Sequence, residues 1–149
     1  MNIRPVLYVV GIMLCILASS MFLPLLADLY IYNPDWKVFF LCMICTAFFG
    51  GILTLSNSGS TVAITHRQGF LMITLSLVAL SLFAALPFWL SGMPLSLTDS
   101  VFEAVSGLTT TGATVLTGLD STPRGILLWR ALLQWLGGVG GIMMALSIL

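Results

Sequence analysis

A threonine-rich run around one glycine is the part of this sequence best suited to chemistry. It occupies residues 106–114 and has the sequence SGLTTTGAT. Such a run is a poor core helix, but it can present a row of backbone carbonyl oxygens. Carbonyl oxygens are the groups that replace the hydration shell of a permeating cation in a channel filter. We therefore predict a cation-binding turn at these residues.

Two residue types in the run suit this task. Gly112 supplies backbone freedom, because a β-carbon penalises positive φ and would crowd an ion path. Thr109, Thr110, Thr111 and Thr114 are β-branched and prefer extended backbone, so we expect them to hold their carbonyl groups in a row.

A short apolar segment, Leu97–Leu108, precedes the run. As a helix it measures about 18 Å, whereas the hydrocarbon core is about 30 Å thick. Two capping boxes are possible at its start, Ser96 with Asp99 and Ser100 with Glu103. We predict a re-entrant helix whose partly negative C-terminal end favours a cation at the turn. The alternative is an ordinary polar loop, which would not need a half-length helix before it.

The composition places these elements in a membrane. Hydrophobic residues make up 59% of the 149 residues and charged residues 7%, and the mean hydropathy is +1.13. A soluble domain carries about a quarter charged residues. The net charge is zero and no lysine or arginine cluster occurs, which argues against nucleic-acid binding. We predict a protein that lies within the lipid bilayer.

Four apolar segments have the length of about 20 residues that a membrane-spanning helix needs. They are 6–26, 38–55, 69–90 and 126–149. Asp28–Lys37 and Ser56–Gln68 read as water-facing connections. Residues 1–20 remain open to an alternative as a cleaved signal peptide. The predicted fold is an all-α membrane protein, with two N-terminal spans in residues 1–66 and a helix, re-entrant loop, helix unit in residues 67–149.

Two charged residues near the run invite a supporting role. Arg130 lies about one turn into the fourth apolar segment, where an arginine needs a partner or a water path. One hypothesis pairs it with Glu103 behind the turn; the other lets it snorkel to the outer interface. As an alternative to the pairing, the acidic side chains of Glu103 and Asp120 would raise the cation density at a pore mouth. We interpret Asp99 as a helix cap.

Other residues receive structural interpretations. Gly137 and Gly141 are four apart, which favours close helix packing over a hinge. Cys42 and Cys45 have C-x-x-C spacing but lie in an apolar segment without a nearby histidine or carboxylate, so we expect no metal or redox site. His66 reads as a solvated loop residue. Nucleophile, base and orienting partner cannot be assembled from these residues, so the sequence does not indicate an enzyme.

Five motifs follow one another in the last third of the chain. They are FEAVSGLTTTGAT at 102–114, PRG at 123–125, WR at 129–130, QW at 134–135 and GGVG at 137–140. Together they closely resemble the first pore repeat of the Trk/Ktr/HKT potassium transporters. The resemblance is strong over about residues 85–149, and the two spans before it look like the extra N-terminal helices of one branch of that family.

The resemblance implies potassium uptake across the cell membrane through a carbonyl-lined selectivity filter. Residues Thr109–Ala113 would form a selectivity filter, with potassium held by the backbone of Thr110 and Thr111. Gly112 would occupy the filter position at which glycine accompanies potassium and serine accompanies sodium. The N-terminus would be cytoplasmic, which makes the turn after the first span external. No organic cofactor is implied.

The family also sets expectations for assembly. Its members carry four such repeats in one chain, whereas this sequence has one and stops at Leu149 inside an apolar helix, so we expect an N-terminal portion of a longer protein. The resemblance further implies a homodimer, a cytosolic nucleotide-binding regulatory subunit of the TrkA type, and a bacterial inner membrane. The rival hypothesis is a non-conducting membrane scaffold subunit.

Overall fold

The computed structural model describes residues 3–59 and 65–148, which form α-helices joined by turns and one short 3-10 helix. The elements are α1 (Arg4–Ser20), α2 (Phe22–Tyr30), α3 (Trp36–Asn57), α4 (His66–Leu90), α5 (Leu97–Leu108), the 3-10 helix (Leu119–Ser121) and α6 (Arg124–Ile148). Four stretches are long and apolar enough to cross a membrane, namely α1 with α2, α3, α4 and most of α6. Within the described residues, the predicted all-helical fold with four candidate membrane spans is therefore confirmed.

The first apolar segment contains two helices where the sequence predicted one. Pro24 has no N–H group and cannot donate to the carbonyl of Ser20, so the helical ladder is interrupted one turn before the proline. Met21 lies at the break, and its N–H group bonds to the carbonyls of Leu17 and Ala18 at 3.2 Å. Both helices still belong to a single crossing.

The first connection is shorter than predicted. The sequence assigned Asp28–Lys37 to a water-facing turn, but α2 extends to Tyr30 and α3 already begins at Trp36. Asp28 is fully buried rather than solvated, because its carboxylate finds a donor inside the protein. Tyr32 is 93% exposed, with a positive φ of 58° at the tip of the turn.

The second connection is also shorter than predicted, because helices α3 and α4 extend into both of its ends. Ser56 and Asn57 belong to α3, and α4 begins at His66 because Thr65 and Gln68 form a capping box. Two observations support the box: the side chain of Thr65 accepts from Gln68 N–H, and the Gln68 side chain accepts from Thr65 N–H at 2.9 Å. Residues 60–64 of the predicted loop lie outside the described residues, as does Leu149 at the end of the fourth predicted span.

The core lies where α1, α3, α4, α5 and α6 meet. Its largest fully buried side chains include Leu14, Phe39, Phe88, Trp129 and Leu133. The indole N–H of Trp129 donates to the Ala84 carbonyl of α4 at 3.0 Å, and its ring meets that of Phe39 edge to face. The start of α6 is thus fixed to both α3 and α4, which matters because the candidate site depends on α6.

Candidate ion-binding turn

Helix α5 begins on a side-chain cap. Ser96 Oγ accepts from Asp99 N–H at 3.1 Å, and Asp99 Oδ2 accepts from Ser96 N–H at 3.2 Å. This capping box is confirmed. The second proposed box is wrong, because Ser100 Oγ donates to the Ser96 carbonyl and the Glu103 carboxylate bonds instead to Thr114, Val115 and Arg130. A helix with its own cap does not depend on a neighbouring element to start.

After α5 the backbone turns back and forms hydrogen bonds to the last turn of the helix. The amide groups of Thr109, Thr110 and Thr111 donate to carbonyl oxygens in the last turn of the helix, at 2.8 to 3.0 Å. To make these bonds the backbone adopts positive φ at Thr110 (56°) and again at Gly112 (77°). Gly112 thus adopts the left-handed conformation for which its backbone freedom was predicted. The extended backbone predicted for Thr109 and Thr110 is wrong. The hydrogen bonds to the free carbonyl groups at the end of α5 outweigh the preference of β-branched residues for extended backbone.

The carbonyl oxygens of the turn fall into two groups. Ser106 Oγ donates to the Ala113 carbonyl at 2.5 Å, and Arg130 Nη2 donates to the Gly112 carbonyl at 3.1 Å. Within residues 3–59 and 65–148, no donor reaches the carbonyls of Thr109, Thr110 or Thr111, and all three residues are exposed. Bare backbone carbonyls cannot face lipid, where each would cost several kcal/mol.

Behind the turn, Glu103 and Arg130 form an ion pair. Arg130 Nε donates to Glu103 Oε2 at 3.2 Å, with the Glu103 side chain fully buried and Arg130 20% exposed. The pairing hypothesis is thereby confirmed over snorkelling. Because Arg130 also bonds to the Gly112 carbonyl, one guanidinium joins the helix and the turn.

The other oxygen of Glu103 holds the chain that leaves the turn. Oε1 accepts from Thr114 Oγ1 at 2.5 Å and from Val115 N–H at 2.6 Å. Both oxygens of a buried carboxylate are therefore satisfied, which is the condition under which such a group stabilises a fold. Glu103 connects α5, α6 and the exit of the turn, and it does not face solvent as a cation attractor would.

Gly137 lets α6 touch the end of α5. A β-carbon at this position would overlap the carbonyl group of Leu108. The predicted packing role of Gly137 is confirmed, whereas Gly141 faces open space within the described residues. The last carbonyl of the half-length helix thus lies directly on the backbone of α6, so the two elements cannot move independently.

A comparison with known protein families shows which family the chain belongs to. The sequence profile of TrkH, described as a cation transport protein, matches residues 35–149. The chain belongs to the TrkH family. Membership places it among membrane transport proteins rather than enzymes.

Relatives in the TrkH family extend the match to the whole chain. It is 41% identical to the Trk system potassium uptake protein TrkH of Halomonas elongata and 38% identical to that of Escherichia coli K12, each over 150 aligned residues. The crystal structure of the potassium transporter TrkH from Vibrio parahaemolyticus superposes with a TM-score of 0.92 at 36% identity, over 99% of this chain and 32% of that one. The chain spans about 31% of the length of its curated relatives.

The remaining predicted residues lie away from the turn. Asp120 is exposed in the 3-10 helix, and His66 is exposed at the first residue of α4. Cys42 is buried and, with Cys15 and Cys45, carries a free thiol. The described part of the chain holds no cluster of three His, Cys, Asp or Glu side chains suited to a metal ion.

Two side-chain contacts of this site were not predicted from the sequence. Ser106 belongs to the predicted turn, but no role was predicted for its hydroxyl, which holds the Ala113 carbonyl. Asp28 was assigned to a solvated turn, yet its carboxylate bonds to Gly125 N–H at the start of α6. An isolated aspartate at the end of an apolar span was the available signal, since such residues require an internal partner.

Proposed function

We propose that this TrkH-family chain contributes one side of a potassium-selective filter to a Trk-type uptake protein. The filter segment is Thr109–Ala113, and the carbonyls of Thr110 and Thr111 bind the ion. One observation carries the proposal: at the end of a half-length helix, consecutive carbonyl groups accept no hydrogen bond from any described residue, on a turn that a buried ion pair holds in place.

The division of the carbonyls supports distinct roles within the filter. The carbonyls of Thr109, Thr110 and Thr111 are available to compensate dehydration of the cation. Those of Gly112 and Ala113 each already accept one hydrogen bond, so they orient the segment and offer only a second lone pair. The C-terminal end of α5 adds partial negative charge at the same place.

The proposed membrane arrangement combines the lengths of the helices with the orientation and membrane that the family resemblance implies. In this proposal residues 1–66 form two N-terminal spans, and residues 67–149 form a pore repeat in which α5 re-enters the membrane between α4 and α6. The N-terminus is cytoplasmic, and the exposed turn at Tyr32 faces outward. The membrane is the bacterial inner membrane, crossed several times.

Assembly is proposed from the relatives. The most similar proteins are named as potassium uptake proteins of Trk systems and are about three times longer than this chain. Four such repeats would surround the pore. The complete protein would form a homodimer and bind a cytosolic nucleotide-binding subunit of the TrkA type.

Rubidium uptake tests the proposal directly. The natural gene product that contains this chain is expressed in bacteria without other potassium uptake, and uptake of labelled rubidium is measured with and without sodium. Gly112→Arg should abolish uptake, and Gly112→Ser should weaken discrimination against sodium. The matched control is Gly92→Ser, because Gly92 has a similar φ of 71° but lies in the loop before α5.

The control separates filter chemistry from backbone strain. Equal loss in Gly92→Ser and Gly112→Ser would mean that strain alone explains the effect. Uptake that survives Gly112→Arg would contradict the filter role and favour a non-conducting scaffold subunit.

A further inference from the structure

A carboxylate from the N-terminal segment reaches the start of α6. Asp28 lies in α2 and is fully buried, and its Oδ1 accepts a hydrogen bond from Gly125 N–H at 3.0 Å. Asn33 Nδ2 lies 3.5 Å from the same oxygen. The helix that follows the ion-binding turn therefore begins on a side chain from 97 residues earlier in the chain.

The fit between Asp28 and Gly125 is close. A β-carbon on Gly125 would overlap both carboxylate oxygens and Cγ of Asp28, so only glycine leaves room for the carboxylate here. Oδ2 is buried and has no hydrogen-bond partner among the described residues. Its negative charge lies instead against the N-terminal end of α6, where the helix carries partial positive charge.

A short rigid path joins this contact to the turn. Gly125 is the second residue of α6, and Arg130 follows it by about one and a half turns. Between them, Ile126 and Trp129 are fully buried, so this part of α6 cannot shift without disturbing close-packed neighbours. Arg130 then holds the Gly112 carbonyl. A displaced helix start would therefore reach the filter segment.

We propose that Asp28 is a positioning residue for the ion-binding turn. It fixes the start of α6 and, through Arg130, the orientation of the Gly112 carbonyl. The role belongs to the N-terminal spans, which lie outside the proposed pore repeat. The inference rests on the proposed function, because cation uptake is what it modulates.

Kinetics of rubidium uptake test this role in the complete gene product. Asp28→Ala should raise the KM for rubidium about fivefold and strengthen inhibition by sodium, at unchanged membrane abundance, since it removes both the acceptor and the helix-end charge. Asp28→Asn keeps an acceptor oxygen without the charge and should raise KM only about twofold. The control Asp35→Ala removes a carboxylate from the turn between α2 and α3 and should change neither quantity.

A suppressor pair keeps the test independent of folding losses. Gly125→Ala alone should raise KM, because its β-carbon displaces the carboxylate. Adding Asp28→Ala should give a double variant no worse than Asp28→Ala, since the overlap is gone. Effects that simply multiply would overturn the inference. So would reduced abundance of the Asp28 variants with unchanged KM and sodium inhibition. An unmodified protein that takes up no rubidium would instead refute the proposed function, and this inference with it.

Discussion

The N-terminal hairpin and the ion-binding turn are held together by different means. In the hairpin, Gly11 of α1 and Gly50 of α3 bring two backbones into direct contact, and apolar side chains fill the remaining space. At the turn, the side chains of Glu103, Arg130 and Ser106 take part in five hydrogen bonds. Three of them hold backbone groups, one holds the Thr114 hydroxyl, and one joins Glu103 to Arg130.

The difference follows from what each region must hold. Two regular helices satisfy their own backbone, so close apolar packing suffices. A non-helical turn has carbonyl and amide groups to satisfy, and each needs a partner with defined geometry. Apolar packing therefore only has to hold two preformed helices together. At the turn, the polar network also has to fix the backbone conformation.

The largest effect is expected at Glu103, and it tests whether the polar network holds the turn. Glu103→Ala leaves the Arg130 charge and the Val115 amide without their partner. Removing one member of a buried pair costs about 3–5 kcal/mol. We expect a matching loss in the free energy of unfolding in detergent and no rubidium uptake.

A control at the other end of α5 isolates the network. Asp99→Ala removes the half-buried acid of the capping box and should cost about 1 kcal/mol. If Glu103→Ala were as mild as Asp99→Ala, the polar network would not distinguish the turn from the hairpin. Arg130→Gln with unaltered stability and uptake would contradict the ion pair's role in the same way.

The next effect, at Gly137, asks whether the turn also depends on packing. Gly137→Ala places a β-carbon on the Leu108 carbonyl, and overpacking of this kind costs typically about 1–3 kcal/mol; we expect the upper end, because the obstacle is backbone. Gly141→Ala meets open space and should gain up to about 1 kcal/mol from helix propensity. The measurement is the midpoint of thermal unfolding of each variant. Equal midpoints for Gly137→Ala and Gly141→Ala would refute the contact between Gly137 and Leu108.

The smallest effect is expected in the hairpin. Gly11→Ala brings a β-carbon against Thr54 and the Gly50 carbonyl. We expect a cost of about 2 kcal/mol, within the range for overpacking. Gly51→Ala has open space and is the matched control. Sodium inhibition of rubidium uptake should stay at the wild-type value in both, and altered selectivity in Gly11→Ala would remove the contrast between the two regions.

The helices could be predicted from the sequence because hydropathy and capping are local properties. Leu97–Leu108 forms a helix over the predicted residues, and the Ser96 cap was visible in four consecutive positions. The break at Met21 depends on the hydrogen bond that Pro24 cannot make, and it was missed because the apolar run continues unbroken through it.

The site was predicted less completely. The Glu103–Arg130 pair could be predicted because opposite charges in apolar segments need each other as partners. The left-handed backbone of Thr110 was not, since local preference favours an extended threonine and only the closure of the α5 end reverses it. The contact of Asp28 with Gly125 joins residues 97 apart, and nothing in the local sequence of either residue specifies the other.

That separation also orders events during synthesis. At about 5–20 residues per second, the ribosome needs roughly 5 to 20 s to make the 97 residues between Asp28 and the amide it binds. The residues that make the glycine contacts of the hairpin are therefore complete well before Gly125 is added to the chain. Until then Asp28 has no α6 amide to bind, so the support for the start of α6 is synthesised before the helix that rests on it.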